Sequence, residues 1–244
     1  MKHKNKRLAV IVFCSAAVIS ILIVWILTNR TSSDIEMPPP PTDKADSFVF
    51  FNLGRNTLFN ETIRRTLTER LGPDRVETWS PISLEMHEPG FIAKHFPVLD
   101  EMNRRLNINN GLDIGEHTIK VTYRYAMNQE LPFYYIKFVF SDFTRRPLYF
   151  RIKMKLDGQY VVDTIREKYG TPEIIHWGEQ DNFTLFWEKD GDIMTISKVE
   201  NRIGEPEYQI MIYYLSNLQN LLRIQKDYIQ KQTEEKTETG KSAF

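Results

Sequence analysis

Side chains suited to acid–base or metal chemistry gather at one place in this chain: Glu85, His87, Glu88 and His95, with Asp100 and Glu101 behind them. Imidazole and carboxylate are good zinc ligands, but a zinc site needs three or four of them converging on one point. Pro89, Gly90 and Pro97 interrupt this segment, which reads better as a polar loop leading into a helix through Leu99, Met102 and Leu106. His176 beside Trp177 reads as an ordinary strand residue. Asp190-Gly191-Asp192 lacks the remaining ligands of a twelve-residue calcium loop, and turn chemistry accounts for it. The chain carries no Gly-x-Ser-x-Gly elbow, no His-Glu-x-x-His and no glycine-rich phosphate or dinucleotide loop. Triads assemble in space as well as in sequence, so the missing motifs lower the odds of catalysis without removing them. On this reading no catalytic or metal-binding residue is assigned, and no cofactor is called for.

The more suggestive pattern is one of charge. Three alternating segments place Lys120 and Arg124, then Tyr135 and Lys137, then Tyr149, Arg151, Lys153 and Lys155 opposite their apolar positions. These three segments contribute six cations and no acid to that side. Such a face suits an anionic partner: lipid headgroups, a cell-envelope polymer or an acidic protein surface. The plainer reading is that Lys and Arg keep an exposed sheet soluble and block edge pairing. Lys120, Arg124, Lys137, Tyr149, Arg151, Lys153 and Lys155 are therefore the candidate partner-binding face.

The elements that must position them follow from periodicity. His117–Tyr125, Phe133–Phe140 and Leu148–Met154 alternate with period two, placing Tyr134 with Ile136, Phe138 and Phe140, and Leu148 with Phe150, Ile152 and Met154. Their short connections predict an antiparallel meander with one face toward solvent. Tyr160, Val161, Ile165 and Tyr169 recur at helical spacing, and Gly170 followed by Pro172 ends that helix. A second sheet segment follows. Asp190-Gly191 predicts a two-residue hairpin that pairs Trp187 with Met194 and Leu185 with Ile196, and Tyr208 to Tyr214 supplies a further strand. Leu215–Gln232 predicts an amphipathic helix through Leu218, Leu221 and Leu222. The fold class is α+β, antiparallel sheet packed with helices.

An internal echo runs through it. Leu67 to Trp79, LTERLGPDRVETW, aligns without gaps on Ile165 to Trp177, IREKYGTPEIIHW. Helix–glycine–strand junctions have limited solutions, so chance resemblance competes with a duplication of halves 48–107 and 117–214.

Residues 8–28 contain an apolar run, Leu8 to Leu27, broken only by Ser15 and Ser20. Twenty helical residues match a hydrocarbon core of roughly 30 Å. Lys2, Lys4, Lys6 and Arg7 precede it, so residues 1–7 are expected in the cytoplasm and the rest outside. A cleaved secretory signal would have a shorter core and a small-residue cleavage site. Lipidation at Cys14 fits poorly after Phe13. The prolines at 38–41 make residues 29–47 an extended stalk, 48–230 is the folded domain, and 231–244 reads as a disordered tail. From Thr31 onward 27 Lys and Arg face all 32 acids, a formal charge of −5, which argues against nucleic acid as a partner. The one cysteine lies in the apolar run, so the domain has no disulfide. These features predict a single-pass bacterial inner-membrane protein with a periplasmic domain. Its expected role is as a non-catalytic binding or assembly module that meets an envelope protein or an anionic envelope component. The alternative is an envelope hydrolase acting on a cell-wall or lipid substrate.

Overall fold

A computed structural model describes residues 46–78, 82–108, 118–178, 182–201 and 203–242. The expected membrane span and cytoplasmic residues, the stalk before residue 46, Trp79 and His117 lie outside these. Among the described residues no helix is long and apolar enough to cross a membrane.

The fold is α+β. Eight strands form one antiparallel sheet: β1 (Asp74–Thr78), β2 (Thr118–Tyr123), β3 (Phe133–Ser141), β4 (Pro147–Lys155), β5 (Glu173–His176), β6 (Phe183–Lys189), β7 (Asp192–Glu200) and β8 (Pro206–Tyr213). Their order is β1-β2-β3-β4-β8-β7-β6-β5. The helices are α1 (Glu61–Leu71), α2 (Phe91–His95), α3 (Pro97–Ile108), α4 (Gln159–Tyr169) and α5 (Leu215–Ser242). The β6–β7 hairpin has the register expected from its turn, with Trp187 opposite Met194 and Leu185 opposite Ile196. Asp190 and Gly191 both adopt positive φ, 52° and 77°, the backbone a twisted two-residue hairpin requires. The two strand groups are not separate sheets. β4 pairs with β8 from Tyr149↔Tyr213 to Lys155↔Glu207, a contact between segments some sixty residues apart that local periodicity does not report.

The sheet is built of two like units. α1, Gly72 and β1 begin one; α4, Gly170 and β5 begin the other; each continues as a four-stranded meander, and the meanders meet at β4 and β8. Gly72 (φ 82°, ψ −170°) and Gly170 (φ 86°, ψ −167°) share a backbone conformation that disfavours a side chain, and each donates its N–H to the carbonyl four residues back. The first run of elements spans 61–155 and the second 159–213, with the Leu156–Gly158 turn between them.

Helices cover both faces. On the first, Leu67 and Leu71 of α1, Val162 of α4 and the strap residues Phe48, Leu53 and Phe59 pack on Phe138, Phe140, Phe150, Ile152, Ile210 and Ile212. On the second, Leu84, α2, Leu99, Met102 and Leu106 of α3, and Leu218 and Leu221 of α5 bury Val139, Leu148, Tyr149, Met211 and Tyr213. The meander therefore does not present an open face along its length. Strict alternation also fails where Phe138, Val139 and Phe140, and again Leu148, Tyr149 and Phe150, are each 2% exposed or less, as in strands buried on both sides.

α5 continues to Ser242, across the stretch whose composition reads as a disordered tail. Past Lys226 its side chains are mostly exposed, and local bonds such as Gln230 Nε2 to Glu234 (2.9 Å) and Thr233 Oγ1 to the Ile229 carbonyl (2.9 Å) run along it.

A buried ion pair ties the N-terminal strap to the sheet. Arg55 (2% exposed) meets Asp192 (0%) at 2.6 Å. Asp192 also accepts from the Ser47 hydroxyl and caps the first turn of α5 through the Leu215 N–H (3.0 Å). Burial pushes the Asp192 carboxyl up, and these donors and the Arg55 charge oppose it. Removing one partner would strand the other without compensation. Arg55→Ala or Asp192→Ala is expected to lower stability by about 3–5 kcal/mol in urea unfolding, whereas a loss under about 1 kcal/mol would show the pair to be dispensable.

Candidate functional site: a basic cleft beside the β7–β8 hairpin

Register places the second-face residues in rows across the sheet. Val139, Tyr149, Tyr213 and Ile193 form one, Lys137, Arg151, Met211 and Thr195 the next, and Tyr135, Lys153, Gln209 and Ser197 the third; Lys155 and Glu207 face each other beyond. The first row lies under α3 and α5. Moving two residues at a time along β4, the chain passes from buried Tyr149 through partly covered Arg151 and Lys153 to exposed Lys155. Where the helical cover ends, a cleft of about 660 Å³ opens, walled by Arg124, Tyr134, Tyr135, Arg151, Lys153 and Lys155 on one side and by the hairpin residues Ile203, Glu205 and Pro206 on the other.

Four of the seven residues expected on a binding face thus meet: Arg124, Arg151, Lys153 and Lys155. Lys120 lies outside the cleft in an ion pair with Glu77 of β1. Tyr149 is 2% exposed, and burial pushes its phenol up to about 12. Lys137 sits over the Tyr149 ring at 5.1 Å, where burial, with repulsion from Arg151 and Lys120, pulls its ammonium down to about 7. Within the cleft the cations are held differently. The Arg151 guanidinium donates to the Glu85 carbonyl and lies 3.3 Å from the Met211 sulfur. Lys153 contacts Glu207 at 2.7 Å. Exposed Arg124 stacks on Tyr135 at 5.6 Å.

Two members of the site escape the alternation argument. The β3–β4 register shifts between Phe133 and Tyr135, so Tyr134 leaves the apolar face on which alternation puts it and its hydroxyl donates to Glu207. A bulge of this kind re-aims a side chain. Its trace in the sequence is the pair of apolar residues Phe133 and Ile136, three apart and out of step with period two; the structure buries both. Glu207 comes from β8, outside the meander, and supplies an acid that the three basic segments lack. It is 2% exposed, and burial pushes its carboxyl up to about 7.

The acid–base cluster does not assemble. Among the described residues no three His, Cys, Asp or Glu side chains converge to hold a metal. His87 stacks on Trp177 (4.1 Å between ring centres); burial, and secondarily Arg151, pull it down to about 4, so it is neutral. Glu85 accepts from Asn103 Nδ2 at 3.3 Å, and Glu88 and His176 are exposed. Asp192 belongs to the Arg55 pair. Compared with protein-family models, curated proteins and solved structures, the chain matches none.

The Lys137 environment has a measurable sign. Below about pH 7 this ammonium is charged in both folded and unfolded chains, and the fold carries its desolvation cost; between about 7 and the ordinary 10.5 only the unfolded chain stays charged, so that cost falls as pH rises. Lys137→Met is expected to raise the melting temperature at pH 6.5, with the gain shrinking toward pH 10. A gain independent of pH would refute the assignment.

Proposed function

We propose that this protein is a membrane-anchored, extracytoplasmic binding module of a cell-envelope complex, with the basic cleft as its contact site. The observation that carries the reading is the convergence of Arg124, Arg151, Lys153 and Lys155 on one open cleft in a chain whose exported part is acidic. The apolar run Leu8–Leu27 behind four cations supports a single inner-membrane span with its N-terminus cytoplasmic, and the proline stretch supports a stalk. Tethering confines the domain to the membrane's neighbourhood, so modest affinity suffices at high local concentration. The acidic balance and the periplasmic compartment both argue against nucleic acid.

The strap and the cleft lie at opposite ends of β7. Ser47 is held at Asp192, the start of β7, while the cleft flanks the far end of β7, past Glu200. Nine strand residues separate the two ends, roughly 25–30 Å. We also read the two helix–meander units as a tandem duplication, supported by their matched glycine caps and by the ungapped spacing of Leu67–Val76 against Ile165–Ile174.

Arg151 and Lys153 have buried or part-buried bonds within the fold, so their reversal would confound folding with binding; exposed Lys155, and exposed Arg124 with its stacking on Tyr135, are the less confounded positions. A photo-crosslinker at Ile203, 77% exposed on the lip of the cleft, is expected to trap a discrete envelope partner in native membranes. Arg124→Glu with Lys155→Glu should reduce that adduct at least about tenfold, as expected from losing two charge contacts. The same adducts in both proteins, or none in either, would reject the cleft as a contact site. In that event a His87→Ala variant that folds but loses envelope function would favour the hydrolase reading.

A further inference from the structure

The floor of the cleft already holds an anion. Glu207 is buried, with Lys153 2.7 Å from one carboxylate oxygen and the Tyr134 hydroxyl donating to the other. One ammonium and one hydroxyl complement the two oxygens of a carboxylate. Around this pair the charged groups are unequal. Arg124, Arg151 and Lys155 face the cleft, against Glu205 on the hairpin. β3 adds Tyr135, and across β7 the residue opposite Glu207 is the uncharged Val199. Lys137 stands one row away beside Arg151. The cleft thus has cations in excess of acids, two tyrosines, Ile203 and Pro206, a wall suited to a peptide bearing several carboxylates more than to a bare inorganic anion.

We infer that Glu207 is a built-in stand-in for the carboxylate of an acidic peptide segment, and that such a segment enters by taking Lys153 and Tyr134 from Glu207, which takes up one solvent proton in exchange. This rests on the cleft being the contact site. The physical reason is that a buried carboxylate deprived of its cation cannot stay ionised without a large desolvation cost. Burial already raises the Glu207 carboxyl to about 7, so the proton is obtained near neutral pH. The ligand and Glu207 exchange places on one pair of donors, no covalent bond changes, and above about pH 7, where the free carboxyl is ionised, the net uptake is a single proton.

The test uses the full-length chain in detergent micelles and a rhodamine-labelled oligoglutamate peptide, with anisotropy read from pH 6 to 8.5 at about 50 mM salt, low enough to preserve phosphate- or carboxylate-type contacts. The dissociation constant is expected to weaken about tenfold per pH unit above about 7, the signature of one linked proton. Glu207→Gln, which keeps hydrogen-bonding capacity, should bind more tightly and lose this slope. Lys137→Met should keep it, which separates Glu207 from the other group that titrates nearby. A flat profile in the wild type, an unchanged slope in Glu207→Gln, or a slope lost in Lys137→Met would overturn proton exchange at Glu207. Failure of the peptide to bind, with tripolyphosphate or vesicles containing phosphatidylglycerol binding instead, would overturn the acidic-peptide assignment while leaving the cleft as a contact site. Failure of all three probes, together with crosslinks at Ile203 that ignore Arg124→Glu and Lys155→Glu, would remove the cleft itself.

Discussion

The antiparallel pairing of β4 with β8 is the constraint on which the rest of this structure depends. It joins two four-stranded meanders into one sheet, with Phe150 opposite Ile212 and Ile152 opposite Ile210 at its apolar centre. The same register places Glu207 opposite Lys155 and beside Lys153. One set of backbone hydrogen bonds therefore decides both the continuity of the core and the charge of the cleft. A slip by a single residue would exchange the faces, putting Arg151 and Lys153 among phenylalanines and isoleucines.

Burial on both faces makes that register unambiguous. The first face is held by α1, α4 and the aromatic strap, and the second by α3 and α5 over only part of each strand. Where the second cover stops, side chains meant for a partly wet surface emerge. Lys137 and Arg151 mark the boundary: one is half-desolvated against Tyr149, the other tied to the Glu85 carbonyl. The buried Arg55–Asp192 pair closes the opposite end by linking the strap, the β6–β7 hairpin and the first turn of α5. The domain is thus locked at the end where the strap joins it and open at the end farthest from it.

Local patterns carried much of the fold. Alternation located β2, β3 and β4, the Asp190-Gly191 pair set the β6–β7 register, and glycines 72 and 170 marked the ends of α1 and α4. Each of these rests on interactions within a few residues: pleat, turn dihedrals and helix capping. The same locality explains the misreadings. Alternation put Tyr134 in the core because a bulge depends on the partner strand, and it left the second face open because α3 and α5 come from distant parts of the chain. The acidic, threonine-rich end of α5 has no apolar periodicity to mark it, yet it continues a helix already nucleated on the sheet.

What the sequence by itself determined was an inventory: α+β elements, an apolar N-terminal run with cations ahead of it, an acidic remainder and a meander rich in Lys and Arg. Tertiary structure alone decided which cations share a cleft, which are sequestered with Glu77 or under helices, and which acid sits among them. Charge and period are properties of neighbours along the chain, whereas a site is a property of neighbours across it. Glu207 and Lys153, fifty-four residues apart and 2.7 Å from contact to contact, meet only because β8 lies against β4.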